Sequence, residues 1–308
     1  MTIVISVGII IYVAGSVGAI PQLFSRFVLE QNGAGFDSDA GGTTNITFFG
    51  LSTLVAAAPM WVAALILPGH PLLPNKVITI IAAVTGVAAT LLAGRAAITV
   101  LLVIIPVVIW VAWRLITRGA PRRPWRNWTP LVAAVAAIGV VVILSALGNT
   151  SVERALNRVA TVFTGQGQSL DDRIRSVEAT KLLQAWTQSP IFGHGLGATI
   201  PGYSRSDTRP WNFELQYHLA LFQFGLVGAL VLVVAFAVAV YGVVRALRAQ
   251  PGLLPAVLVA IGGAASMLIA NGINPYLQEP GNMWPVYFVL MIINVVLAPA
   301  LSARKGQE

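Results

Sequence analysis

The sequence predicts an all-α, polytopic membrane protein, on three observations. Of its 308 residues 56% are hydrophobic and 10% charged, and the mean hydropathy of +0.80 lies far from that of a soluble domain. Apolar runs of about 20 residues, the length a helix needs to cross roughly 30 Å of hydrocarbon, recur along the chain. The alternating segments of about ten residues that would build a membrane β-barrel are absent, so helices must satisfy the backbone internally.

Eight apolar runs are expected as spans: 2–20, 46–67, 77–93, 96–116, 129–147, 215–243, 253–273 and 283–300. The first lacks a basic leader and a small-x-small cleavage site, so it reads as a retained helix. The third and fourth make one apolar stretch from Val77 to Ile116, interrupted only by the turn Gly94-Arg95. Three connections have substance: a loop at 21–45, a large one at 148–212 and a short one at 274–282. The whole chain, 1–308, reads as a single integral membrane domain with 148–212 as its large extracytoplasmic loop. Inside that loop, 173–188 puts Ile174, Val177, Leu182 and Ala185 on one side of a helix stopped by Ser189-Pro190. It is expected to lie amphipathically on the membrane surface.

Net charge is +8, but its distribution argues against nucleic acid. Arg114, Arg118, Arg122, Arg123 and Arg126 fall in or beside one loop, Arg245 and Arg248 in another, and Arg304 and Lys305 in the tail, with Lys76 between spans two and three. Placing all of these in the cytoplasm gives eight spans with both termini inside. Every acidic residue except Glu308 then lies on the outer side. There is no cysteine for a disulfide or thiolate site, and the three histidines, His70, His194 and His218, do not suggest a zinc site. Neither cofactor nor metal is expected.

Four constellations on the outer side carry candidate chemistry. Gly193-His194-Gly195-Leu196-Gly197 follows the helix bearing Arg173 and Arg175; its glycines would let amides approach an anion, or would simply make a tight turn at the membrane surface. Glu214 and His218, four apart, would share one face of a helix with Gly225 and Gly228 continuing the stripe. They are a candidate base and proton relay, or two interfacial residues in contact with headgroups. Arg95 offers a guanidinium fork for a phosphate, or an interfacial anchor. Asn271, Asn274, Tyr276 and Gln278 would line a sugar site or merely end the seventh span. Trp110, Trp113, Trp125 and Trp128 read as interfacial belt residues.

In chain order these pieces run GRAAITVLL from Gly94, Arg175, Pro190-Ile-Phe-Gly193-His-Gly195, Glu214-Leu-Gln-Tyr-His218, Gly225-Leu-Val-Gly228 and NPYLQ from Asn274. Together they resemble the O-antigen ligase and O-antigen polymerase superfamily of bacterial envelope membrane proteins, over roughly residues 40–300. The resemblance implies glycosyl transfer, without a metal, at the outer face of the cytoplasmic membrane. The donor would be a glycan on a polyprenyl diphosphate, the acceptor a sugar hydroxyl of another lipid-linked glycan. Arg95, Arg173 and Arg175 would hold the diphosphate, with Gly193, Gly195, Asn274 and Tyr276 also facing substrate and Glu214 or His218 acting as base. The expected partners are that lipid-linked glycan, the bilayer and other envelope-polysaccharide assembly proteins. Two departures stand out: many members place a histidine where this chain has Glu214, and eight spans are fewer than usual, as if N-terminal helices were missing. A transporter or flippase of an anionic lipid-linked substrate is the competing class, although its ionisable groups would be expected near the midplane rather than the outer edge.

Overall fold

The computed structural model describes residues 1–16, 19–25, 31, 35–38, 44–117, 170–279 and 281–305. The elements are α1 (Thr2–Ser16), β1 (Gly35–Ser38), β2 (Thr44–Thr47), α2 (Leu51–Ile66), α3 (Lys76–Leu92), α4 (Ala96–Ile116), α5 (Leu170–Trp186), α6 (Gln216–Ala249), α7 (Leu254–Asn271) and α8 (Trp284–Lys305). Short 3-10 turns occupy Pro251–Leu253 and Tyr276–Gln278. Among the described residues Ile98–Ile116, Gln216–Ala249 and Pro251–Asn271 are long and apolar enough to cross a membrane, whereas Thr2–Ser16, Leu51–Ile66, Lys76–Leu92 and Trp284–Ala298 are apolar but shorter. The expected span 129–147, the arginines Arg118 to Arg126 and the first part of 148–212 lie outside the described residues.

Among the described residues the fold departs from purely all-α in one two-stranded sheet. Within and just beyond the expected loop 21–45, β1 and β2 pair antiparallel, with Phe36 opposite Ile46. The second run therefore begins at Leu51 rather than 46. Thr44, Ile46 and Thr47 are β-branched and suit an extended backbone, and Gly50, at φ 74°, turns the chain from β2 into α2.

The chain divides into two compact units, Met1–Thr164 with Gly252–Ser266, and Gly165–Pro251 with Met267–Glu308. In the first, α1, α2, α3 and α4 pack through small side chains. Ala56, Ala57 and Ala58 of α2 are buried, and a Cβ on Gly86 of α3 would touch Ala58 Cβ at 3.4 Å. Such close helix approach is how apolar helices gain packing contacts in a medium as oily as themselves. The hairpin is tied to the α3–α4 turn by the Ile46 amide, which donates to the Ala93 carbonyl at 3.2 Å.

The second unit is organised by a break in α6. Gly225 adopts φ 62°, ψ −160°, a region essentially reserved for glycine. The break interrupts the helical ladder, and two of its rungs, those from Leu226 N–H to Phe222 C=O and from Val227 N–H to Gln223 C=O, pass to other partners. The segment 190–195 replaces both, at both ends. Leu226 N donates to Pro190 O (2.9 Å), Val227 N to Ile191 O (3.1 Å), His194 N to Phe222 O (2.8 Å) and Gly195 N to Gln223 O (2.9 Å). The backbones touch so closely that a Cβ on Gly225 would lie 2.3 Å from Ile191 O and one on Gly193 would lie 2.4 Å from Gln223 O; within α6 itself, a Cβ on Gly228 would lie 2.2 Å from Phe224 Cβ.

Gly225→Ala and Gly193→Ala are therefore expected to abolish the folded protein or lower its melting temperature in detergent sharply. Gly195→Ala, which has positive φ but nothing within 4 Å of the added Cβ, should retain a folded state at a cost of about 1–3 kcal/mol. Equal melting temperatures for the three variants would contradict the docking.

Candidate functional site

The site grows from the inward face of α5. Ile174, Glu178 and Leu182 follow one another at i, i+4 and i+8, and both Glu178 and Leu182 are fully buried, whereas Val177 is 49% exposed. The stripe is thus turned by one residue from the expected Ile174–Val177–Leu182 face, and its centre is a carboxylate. Leu182 packs with Phe213, Leu215, Leu219 and Phe222, flanked by Ile200 and Tyr203. This apolar floor lies beneath the charged groups.

Glu178 Oε1 accepts from the Leu215 amide at 2.8 Å. Leu215 is the N-cap residue of α6 and no side chain of its own caps the helix, so α5 supplies an acceptor at this helix start from 37 residues away. Glu178 Oε2 lies 3.6 Å from Arg205 Nε, close enough for an ion pair and too long for a hydrogen bond. Arg205 Nη2 also reaches Glu214 Oε1, and Arg175 Nε donates to Glu214 Oε2 at 3.1 Å. One carboxylate thus holds two guanidiniums, one on each oxygen, while Arg205 Nη1 is buried without a hydrogen-bond partner. Burial, the largest influence, pushes the Glu178 carboxyl above its ordinary value, with nearby Glu214 adding to the rise; the Leu215 N–H and Arg205 oppose it. Burial and then Glu178 likewise push the Tyr203 phenol up. Its hydroxyl is buried and unpartnered, and its ring stacks on Phe213 at 6.1 Å.

The structure places the sequence-derived candidates as follows. Glu214 precedes α6 instead of standing on it, so the expected helical stripe with His218 does not form. His218 lies on the first turn of α6, with a buried, unpartnered Nδ1. Arg175 joins the cluster and Arg173 is exposed on α5. The amides of Gly193, His194 and Gly195 donate to the Ser189, Phe222 and Gln223 carbonyls, so those an anion would approach are already engaged in the turn. The His194 ring lies 4.8 Å from Phe222, with Nε2 2.8 Å from Ala185 O. Arg95, in the first unit, is the N-cap residue of α4. Its Nη2 donates to Thr47 Oγ1 at 3.2 Å and its Nε is buried without a partner.

Asn271 and Asn274 sit where α7 ends. Asn271 Oδ1 accepts from Leu277 N at 2.9 Å, Asn274 N donates to Ala270 O, and Tyr276 O accepts from Asn282 Nδ2 at 2.8 Å. Gln278 Nε2 donates to Gln216 Oε1 at 2.8 Å, which ties this turn to the first turn of α6.

Glu178 and Arg205 are the residues that sequence reasoning missed. For Glu178 the signal was present: an acid in the middle of an apolar i, i+4, i+8 stripe. Arg205 sits in an irregular loop without periodicity, and no local signal marks it. No protein-family model, curated protein or solved structure matches the chain.

Glu178→Ala leaves the Leu215 N–H buried without an acceptor and is expected to cost about 1–3 kcal/mol; Glu178→Gln keeps an acceptor oxygen and should cost less. Because the folded-state carboxyl is raised, the folded state binds its proton more tightly than the unfolded chain. The stability this adds is complete below the ordinary value of 4.5 and is lost as pH rises through the raised value. Melting temperatures in detergent should therefore show wild type falling relative to Glu178→Gln as pH rises from about 4. A constant difference between the two would contradict the assignment.

Proposed function

We propose that the chain is a membrane glycosyltransferase of the O-antigen ligase and O-antigen polymerase type. It spans the bacterial cytoplasmic membrane eight times with both termini inside, and works at the outer face. The observation that carries this reading is the Arg175–Glu214–Arg205 cluster. Two guanidiniums converge on one carboxylate at the start of a long apolar helix, with a third cationic side chain, Arg173, two residues from Arg175. This is the arrangement that a diphosphate on a lipid tail requires: cationic forks beside an apolar surface.

In the transfer, an acceptor sugar hydroxyl attacks the anomeric carbon of the donor. The new C–O bond forms as the bond from that carbon to the diphosphate oxygen breaks, and polyprenyl diphosphate leaves with the electron pair. Charge grows on the leaving phosphate, and the arginines stabilise it in place. The hydroxyl proton passes to Glu214. Both Glu214 oxygens are held by guanidiniums. A diphosphate carries more charge than a carboxylate and competes for the same forks, so donor binding frees Glu214 to face the acceptor. Arg95, in the first unit, is a phosphate ligand on the strength of the resemblance alone, and Asn274 and Tyr276 meet glycan hydroxyls. Gly193 and Gly195 serve by holding the loop.

Reconstituted protein should release polyprenyl diphosphate from a lipid-linked oligosaccharide donor. Glu214→Gln is expected to lower the turnover rate by at least about a hundredfold, the scale of a lost general base, while binding polyprenyl diphosphate as tightly as wild type or more tightly. Arg205→Ala and Arg175→Ala should weaken that binding. Donor carried across the bilayer without release of polyprenyl diphosphate would make the protein a transporter. Full activity in Glu214→Gln with loss in His218→Asn would assign the base to His218.

In the host, the size profile of surface glycan separates the two transferase types. Single repeat units accumulating in Glu214→Gln mark a polymerase, and long chains left on the polyprenyl carrier mark a ligase. Arg95→Lys should restore only part of the activity that Arg95→Ala loses, because a point charge lacks the fork; full activity in Arg95→Lys would make Arg95 an interfacial anchor.

A further inference from the structure

The segment 190–197 leaves its largest apolar side chains uncovered. Ile191 is 55% exposed, Phe192 73% and Leu196 79%. Scattered exposed apolar residues are ordinary, but these do not stand apart from the rest of the surface. Pro190 and Ile191 accept hydrogen bonds from Leu226 and Val227, and those two residues, with Phe224 (40% exposed) just before the break, stand at the upper end of the long exposed apolar surface of α6. That surface continues through Leu230 (63%) and Val234 (53%) to Val244 (40%), where Arg245 and Arg248 follow. Residues 226–244 span roughly 28 Å at 1.5 Å per residue, close to the thickness of about 30 Å of a hydrocarbon core. With the arginines marking one boundary, Leu226 and Val227 fall just inside the other. Their hydrogen bonds put Ile191 at the same depth and Phe192 beside it.

Two further observations fit that depth. The backbone of 190–195, which could not lie at the edge of hydrocarbon with its polar groups orphaned, gives four of them to the broken rungs of α6 and bonds both Gly193 groups back to Ser189. Trp186 Nε1 donates to Pro190 O at 3.1 Å, placing an indole, a side chain favoured at membrane–water boundaries, beside the same segment. We infer that residues 190–197 form a membrane-embedded cap, with Ile191, Phe192 and Leu196 inserted at the acyl-chain boundary of the bilayer. This part of the loop does not stand in water, although Asp207 in the same loop does. The inference does not depend on the glycosyltransferase reading.

The chain has no cysteine, so single-cysteine variants carry one nitroxide label each. Phe192→Cys and Leu196→Cys are compared, in vesicles of phosphatidylethanolamine and phosphatidylglycerol, with Leu230→Cys as the lipid reference and Asp207→Cys, exposed in the same loop, as the water reference. Collision rates with oxygen and with a water-soluble nickel chelate are measured for each. At 192 and 196 the oxygen-to-nickel ratio should approach that at 230 and exceed that at 207 several-fold. A ratio matching 207 would put the segment in water and overturn the inference. Shielding from both reagents would mean that protein, for example a second copy of the chain, covers the segment, and would overturn it equally. Position 196 keeps the test open if replacing Phe192 prevents insertion.

Discussion

Two missing rungs in α6 govern the second unit. A helix that crosses hydrocarbon normally satisfies its own amides and carbonyls, and each orphaned group there costs several kcal/mol on an order-of-magnitude basis. At Gly225 that self-sufficiency fails, and four backbone groups are left for another segment to meet. Only a stretch that brings two acceptors and two donors at the spacing of consecutive residues can do so, which is what Pro190, Ile191, His194 and Gly195 provide. The price is steric. Gly193 and Gly225 must both lack a side chain, because each occupies the space that the other's neighbours would need. The Pro-x-x-Gly-x-Gly and Gly-x-x-Gly pieces are thus two halves of one joint.

The joint fixes more than backbone. Segment 190–195 follows α5 within four residues, so docking it on α6 anchors the C-terminal end of α5 beside the helix that it packs against. Leu182 then meets Phe213 and Phe222, and Glu178, one turn earlier, reaches Leu215 N. A carboxylate at that depth is disfavoured by burial, and Arg205 with the amide offsets the cost only in part. Its use is positional: it sets where α6 begins and leaves Glu214 outside the helix, where both oxygens can take a guanidinium. Backbone satisfaction, helix capping and the arrangement of the arginines are consecutive steps of one construction.

Much of the helical layout was legible because oil content and length are local properties. Runs 77–93, 96–116, 253–273 and 283–300 correspond closely to α3, α4, α7 and α8. The hairpin escaped because Ile46 continues the apolar run after it, and only pairing with Phe36 makes the segment extended. The break escaped for a deeper reason. Gly225 and Gly228 occur in a sequence that reads as uninterrupted helix, and glycine pairs at this spacing are common in membrane helices that simply pack closely. What converts the pair into a break is a partner more than 30 residues earlier. Glu214 illustrates the same limit: its spacing to His218 fits a shared helical face, yet the helix starts at Gln216 because the residue before it is held from α5. Glu178 was readable in principle, since an acid inside an apolar stripe implies a buried partner. Arg205 was not, because loops have no period from which to infer direction.

The two proposals meet in the chemistry of one class of substrate. A polyprenyl diphosphate has a long apolar chain that stays in the bilayer and an anionic head that must be drawn to its boundary. A soluble cleft would have to extract the chain, whereas a site at the rim of the hydrocarbon needs only to present cations beside an open apolar surface. Segment 190–197 is continuous with that surface on one side, through Leu226 and Val227, and with the C-terminal end of α5, the helix that carries Arg175 further back, on the other. A cap seated at the acyl boundary would hold the arginine-bearing helix at headgroup level by its backbone alone. In the proposed reading the guanidiniums would then meet a diphosphate near the membrane surface, and Glu214, which pairs with them, would stand beside the lipid-linked acceptor.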